Sequence, residues 1–157
     1  MNSYTNIIGS KLVPAQYDVF WEDVPPFVND LLPKPVLIVV HDHEPNGPEG
    51  LQLKRIIDRS KLQPEQYNLV VLKDGRQIAW RQLREKLHPK FILMFGIMPS
   101  RLGISSLFRA NEPNRFNDRI WLLTYSLSEL IQSDELKKQL WNGALRPVFE
   151  LRAFGDY

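Results

Sequence analysis

Short continuous apolar runs, separated by stretches with helical spacing, dominate the chain from residue 35 onward. Residues 35–40 (PVLIVV) form an unbroken, β-branched run bounded by a proline, the pattern of a strand buried on both faces of a parallel sheet. A turn with Pro45, Asn46, Gly47, Pro48 and Gly50 follows. Leu51, Ile56 and Ile57 then share a stretch with polar Gln52, Lys54, Arg55 and Asp58, which predicts an amphipathic helix to about Ser60. Residues 67–72 (YNLVVL) predict a second strand, and Lys73, Asp74, Gly75 and Arg76 a turn. Ile78, Trp80, Leu83 and Leu87 predict a helix that stops before Pro89, and residues 91–95 (FILMF) a third buried strand. Gly96 and Pro99 end that strand, residues 103–117 read as a loop, and residues 120–123 (IWLL) predict a fourth strand.

Two helices are expected after it. Ser126 and Glu129 have the spacing of a capping box, and Ser133 can cap a second helix with Asp134 and Glu135 in its positive first turn. Leu136, Leu140 and Leu145 give that helix an inward stripe toward Pro147. Strands alternating with helices predict an α/β domain with right-handed crossovers: a three-layer α/β/α sandwich around a central, mainly parallel four-stranded sheet.

Residues 1–34 break this regularity. Pro14, Pro25, Pro26 and Pro33 interrupt aromatic residues at Tyr17, Phe20, Trp21 and Phe27, leaving room for one short helix over residues 27–32. The expected organisation is an N-terminal arm, 1–34, and a single α/β domain, 35–157. The arm either covers its own core or serves as a partner-docking segment.

Composition narrows the function classes. At 157 residues the chain has the length of one domain, and a domain of this size buries about 70% of its unfolded surface. The absence of cysteine removes disulfides, thiolate nucleophiles, iron–sulfur clusters and cysteine zinc sites, and fits a reducing compartment. Cytoplasmic localisation is the expectation. No apolar run approaches the ~20 residues that cross a bilayer, and the polar start lacks the regions of a signal peptide, so no membrane association is expected. With 20 basic and 18 acidic residues there is no gross basicity, and a nucleic-acid site would have to be a local patch.

The densest polar cluster, His41, Asp42, His43 and Glu44, follows the first strand, where ligands sit in open α/β folds. Three readings are open: a solvated loop; a metal site, for which His88 is the one further histidine; or a catalytic site. In the last, Asp42 or Glu44 would activate water and His41 or His43 would hold developing charge. Gly47 to Gly50 lacks both phosphate-loop patterns and reads as a turn. Ser100 and Arg101, after the third strand, could meet phosphate, and no G-x-S-x-G elbow accompanies them. Arg109, Arg115 and Arg119 interleave with Phe108, Phe116 and Trp121, the residue types that neutralise and stack single-stranded nucleic acid, or else solvated arginines over a core-facing tryptophan. No metal or cofactor is expected.

Residues 124–141, TYSLSELIQSDELKKQLW, are similar to the last conserved motif of the uracil-DNA glycosylase superfamily. Thr124, Tyr125, Ser128, Leu130, Lys137 and Trp141 match its framework, whereas Ser126 stands where the family's catalytic histidine would be and Leu127 where its proline would be. That histidine stabilises the charge growing on the uracil carbonyl as the glycosidic bond breaks, so the resemblance implies the fold with its chemistry removed. VHDHEPNG, residues 40–47, keeps Asp42 roughly where active relatives carry a water-activating aspartate, with neither of their motifs intact.

The tail also resembles the psi-subunit family of the bacterial replicative DNA polymerase III holoenzyme, whose members have a related fold and no enzymatic role. That likeness implies an adaptor joining the clamp loader to a chi-like subunit through an N-terminal peptide, with Tyr17, Phe20 and Trp21 as its anchors. The alternatives are a divergent DNA glycosylase using Asp42, His43 and Glu44, and a single-strand binder using Arg101, Arg109, Arg115 and Arg119.

Overall fold

The computed structural model describes residues 31–157. Tyr17, Phe20, Trp21 and Phe27 lie outside the described residues, as do four of the six residues of the helix expected over 27–32, and the other two, Leu31 and Leu32, are not helical. The last residues of the expected arm pack on the domain. Leu31 lies against the core, the Asn68 amide donates to the Leu32 carbonyl at 2.8 Å, and the Lys34 ammonium donates to the Pro64 carbonyl at 2.9 Å.

The domain is α/β, built on a five-stranded, mostly parallel sheet. The strands are β1 (Val36–His41), β2 (Tyr67–Leu72), β3 (Phe91–Phe95), β4 (Asn114–Phe116) and β5 (Arg119–Thr124), in the order β2-β1-β3-β5-β4. All pairings are parallel except β4 with β5. The helices are α1 (Pro48–Arg59), α2 (Trp80–Leu87), α3 (Leu127–Gln132) and α4 (Asp134–Leu140), and a π-helix (Trp141–Glu150) continues from α4.

Alternation along the central strands sorts the core into two clusters. Val36, Ile38 and Val40 pack with α1, α3, α4 and the π-helix, whereas Leu37 and Val39 pack with α2, a 3-10 turn (Pro99–Leu102) and the loop leading to β4. Both faces of the sheet are therefore covered, which is why β1 and β3 read as unbroken apolar runs. The step from β1 to β2 carries α1 on one face. The step from β2 back past β1 to β3 carries α2 on the other, as crossovers of a single hand require.

The expectation of four strands is corrected by β4. Its three residues, Asn-Arg-Phe, have no apolar pattern, and two other features create the strand. Asn117 and Asp118, at φ 55° and 60°, form a two-residue turn with both residues left-handed, the geometry that matches the twist of a hairpin and that Asn and Asp tolerate best after glycine. The Asn114 side chain then pins the loop. Its amide donates to the carbonyls of Arg109 and Glu112, both at 2.9 Å, and its oxygen accepts from the Arg109 N–H at 2.9 Å.

Candidate functional site at the carboxyl edge of the sheet

The chain leaves β1 toward β2 and returns on the other side of β1 to form β3, so the carboxyl ends of β1 and β3 define the point where an open α/β sheet ordinarily leaves a ligand crevice. His41, the last residue of β1, reaches across it. Its Nε2 lies 2.8 Å from the Gly96 carbonyl, just past β3, and because a carbonyl only accepts, this nitrogen carries the proton. His43 Nδ1 donates to the carbonyl of His41 at 2.8 Å. Both imidazoles are thus folded onto backbone and half-buried, while Asp42 and Glu44 are exposed to solvent. The four-residue cluster divides into two backbone clasps and two hydrated carboxylates. Among the described residues, no group of three or more metal-ligating side chains is assembled.

Gly96 is clasped from its other side. At φ 66° it occupies the left-handed region, and a Cβ there would lie 2.8 Å from Cβ and 2.9 Å from Cα of Ser126. The turn from β5 into α3 is seated on this glycine. Ser126 forms the capping box expected from its sequence: its Oγ accepts from the Glu129 N–H at 3.2 Å, and the Glu129 carboxylate accepts from the Ser126 N–H at 3.1 Å. The hydroxyl lies 2.9 Å from the same carboxylate and 3.1 Å from the Ser128 hydroxyl. Leu127 is buried in the core and Ser128 is exposed. The Ser126 side chain is therefore engaged in capping its own helix.

Beside this edge, Thr124 is buried and donates to Asn111 Oδ1 at 2.6 Å. Asn111, Tyr125, Glu135, Lys138 and Asn142 line an open concavity of about 580 Å³. Gly143 of the π-helix closes one wall, and a side chain there would run into the Asn111 carbonyl. Two exposed apolar side chains stand just past strands at this end, Met98 beyond β3 and Tyr125 beyond β5, and Leu107 is exposed in the loop leading to β4.

The four arginines do not converge. Arg101, at the carboxyl edge, donates to the carbonyls of Arg76 at 2.8 Å and Lys73 at 3.3 Å, tying down the turn after β2. Arg119 is at the opposite edge, about 17 Å away along the five-residue β3. It donates to the carbonyls of Pro89 and Asn117, both at 2.8 Å, and its guanidinium lies 5.3 Å from the centroid of the Trp80 ring. Burial, with the nearby Arg84 charge, holds its pKa below the usual guanidinium value. Arg115 lies over Phe154 at 5.4 Å, and Arg109 is exposed. The interleaved aromatics turn inward. Trp121 is fully buried, edge-packed on Trp80 at 4.6 Å and Phe116 at 5.8 Å, and donates its indole N–H to the Phe116 carbonyl at 2.9 Å. Their faces are spent on one another and on the sheet.

Gly96, read in the sequence only as the end of β3, and Asn111, not singled out there, both belong to this edge. A glycine directly after a fully buried strand was the available signal for Gly96. For Asn111 there was none, because its partner Thr124 is brought to it by the sheet. Comparison of the sequence with protein-family models and with curated proteins finds no match.

Proposed function

We propose that this protein is a non-catalytic, protein-binding module on a glycosylase-like, three-layer α/β/α sandwich, acting as a psi-like accessory of the bacterial replicative DNA polymerase in the cytoplasm. One observation carries the non-catalytic part: the crevice between β1 and β3 is spanned by the His41 contact to the Gly96 carbonyl, with Ser126 packed on the same glycine and engaged with Glu129. Base excision requires a preorganised donor aimed at the departing base, whereas His41 and His43 are aimed at backbone carbonyls and Ser126 at Glu129. The parallel order β2-β1-β3-β5, with helices on both faces, supports the sandwich. Exposed Met98 at this edge and exposed Leu107 in the loop leading to β4 support a protein partner, since apolar side chains left in solvent are often contact points.

The test is affinity capture of the full chain beside a chain lacking residues 1–26, with recovered proteins identified by mass spectrometry. Recovery of clamp-loader subunits by the full chain alone is the expected result. Failure to recover them, together with uracil release from DNA that is abolished by Asp42→Ala and Glu44→Ala, would replace this reading with the enzymatic one.

A further inference from the structure

A second concavity, of about 230 Å³, opens between α1 and the α4–π-helix unit, on the face of the sheet that both cover. Ile56, Leu140 and Trp141 form its apolar floor, and Arg55, Arg59 and Lys137 stand around it, so every charged lining residue is a cation. Among the described residues, no carboxylate pairs with Arg55 or Arg59, and Lys137 meets only Asp134, at 3.5 Å, whose side chain is 91% exposed. Gln52 adds a directional group. It lines the same groove, is 6% exposed, and its amide makes no hydrogen bond to any described residue. Such an amide is costly to leave unpaired, and a ligand that carries both donors and acceptors, as a peptide backbone does, meets it best.

Size and chemistry restrict the occupant. Pockets that hold whole small molecules run from about 300 to 1,000 Å³, and this one has room for a single large side chain. Nucleic acid fits it poorly. Single strands need an open aromatic face and a track of cations, whereas the groove's one aromatic, Trp141, has the Arg59 guanidinium over its ring at 4.1 Å, and the three cations surround one depression. We propose that the groove docks an acidic segment of a partner protein, with one large apolar residue on the floor, carboxylates against Arg55, Arg59 and Lys137, and a backbone amide on Gln52. Charge complementarity decides the choice: a basic segment would be repelled, and an uncharged one would leave the three cations without a counterpart. Arginine clusters that read acidic motifs, and large apolar anchors that fill one pocket, are recurrent modes of peptide recognition. The proposal rests on the protein-binding part of the function above and on no particular replication partner.

The test is selection of random twelve-residue peptides, displayed on phage, against the immobilised full-length protein. Recovered peptides are synthesised, labelled and measured by fluorescence anisotropy. They should carry one large apolar residue flanked by two or more acids. Arg55→Glu with Lys137→Glu should weaken their binding at least about tenfold, as two exposed attractions become repulsions. Gln52→Leu, which keeps the volume and removes the amide, should weaken it about fivefold. Unchanged urea-unfolding midpoints in both variants assign these losses to the groove. Absence of enrichment, or enrichment of peptides without acids, would overturn the proposal. Peptides that bind all three chains equally would also overturn it while leaving the protein-binding reading in place, which clamp-loader capture tests separately. A twelve-nucleotide oligothymidylate that displaces the peptides and binds more tightly than they do, with the same dependence on Arg55 and Lys137, would assign the groove to nucleic acid instead.

Discussion

Replacing Gly96 by alanine tests whether the carboxyl edge is held as described. Two costs add at this position. The left-handed backbone at φ 66° disfavours any L side chain by about 1–2 kcal/mol. The new Cβ also meets Ser126 Cβ at 2.8 Å and Cα at 2.9 Å, a contact relieved only by moving the β5–α3 turn, at an overpacking cost of about 1–3 kcal/mol. Against these, alanine restricts the unfolded chain and returns about 0.4–1 kcal/mol. The net expectation is a loss of about 2–4 kcal/mol, or roughly 5–12 °C in Tm for a domain of this size. Gly75→Ala is the matched control: its φ is 75°, and no atom lies within 4 Å of the Cβ it would gain. That variant should lose about 0.5–1 kcal/mol, the strain less the entropy term. Urea and thermal unfolding followed by circular dichroism give both numbers. Equal losses in the two variants would mean that Ser126 is not seated on Gly96, and the account of a closed crevice would fall with it.

Other outcomes follow from the same contacts. Ser126→Ala removes the cap of α3 and should cost about 1 kcal/mol in urea unfolding, whereas an equivalent change at exposed Ser128 should stay within about 0.5 kcal/mol. Trp121→Phe leaves the Phe116 carbonyl without its indole donor and a gap beside Trp80, and a loss of about 2–3 kcal/mol is expected from the same measurement. Arg119→Ala should destabilise by about 1–2 kcal/mol through its two carbonyl partners, while Arg109→Ala, exposed, should change stability by less than about 0.5 kcal/mol. A stability cost at Arg109 matching that at Arg119 would contradict the division of roles between them.

The legible parts of the chain were those whose physics is local. β2 and β3 stand at the residues where their apolar runs lie, β1 is displaced by one residue from its expected run, and β5 gains one residue at each end; β1 and β3, buried on both faces, show no polar interruption in those runs. The capping box at Ser126 was equally legible, since its partners are three residues apart. Helix α1 begins earlier than the apolar spacing indicated, at Pro48, because proline is tolerated where the first turn needs no N–H donor.

What the tertiary structure alone decided are the contacts between distant segments. The His41 clasp spans 55 residues to Gly96, and whether its imidazole serves solvent, a metal or a backbone carbonyl depends on which strand lies beside β1. The fate of the arginines was hidden for the same reason: Arg101 engages the Arg76 carbonyl 25 residues away, and Arg119 the Pro89 carbonyl 30 residues away as well as that of nearby Asn117. The short β4 arises from a left-handed turn and one asparagine side chain, features that leave no hydrophobic period. Arg55, Arg59, Lys137 and Trp141 become one groove only because α1 and the α4–π-helix unit cover the same face of the sheet. Hydrophobic periodicity determines which segments form strands and helices and which faces they bury. Pairing order then determines which polar side chains find partners and which are left to meet something else.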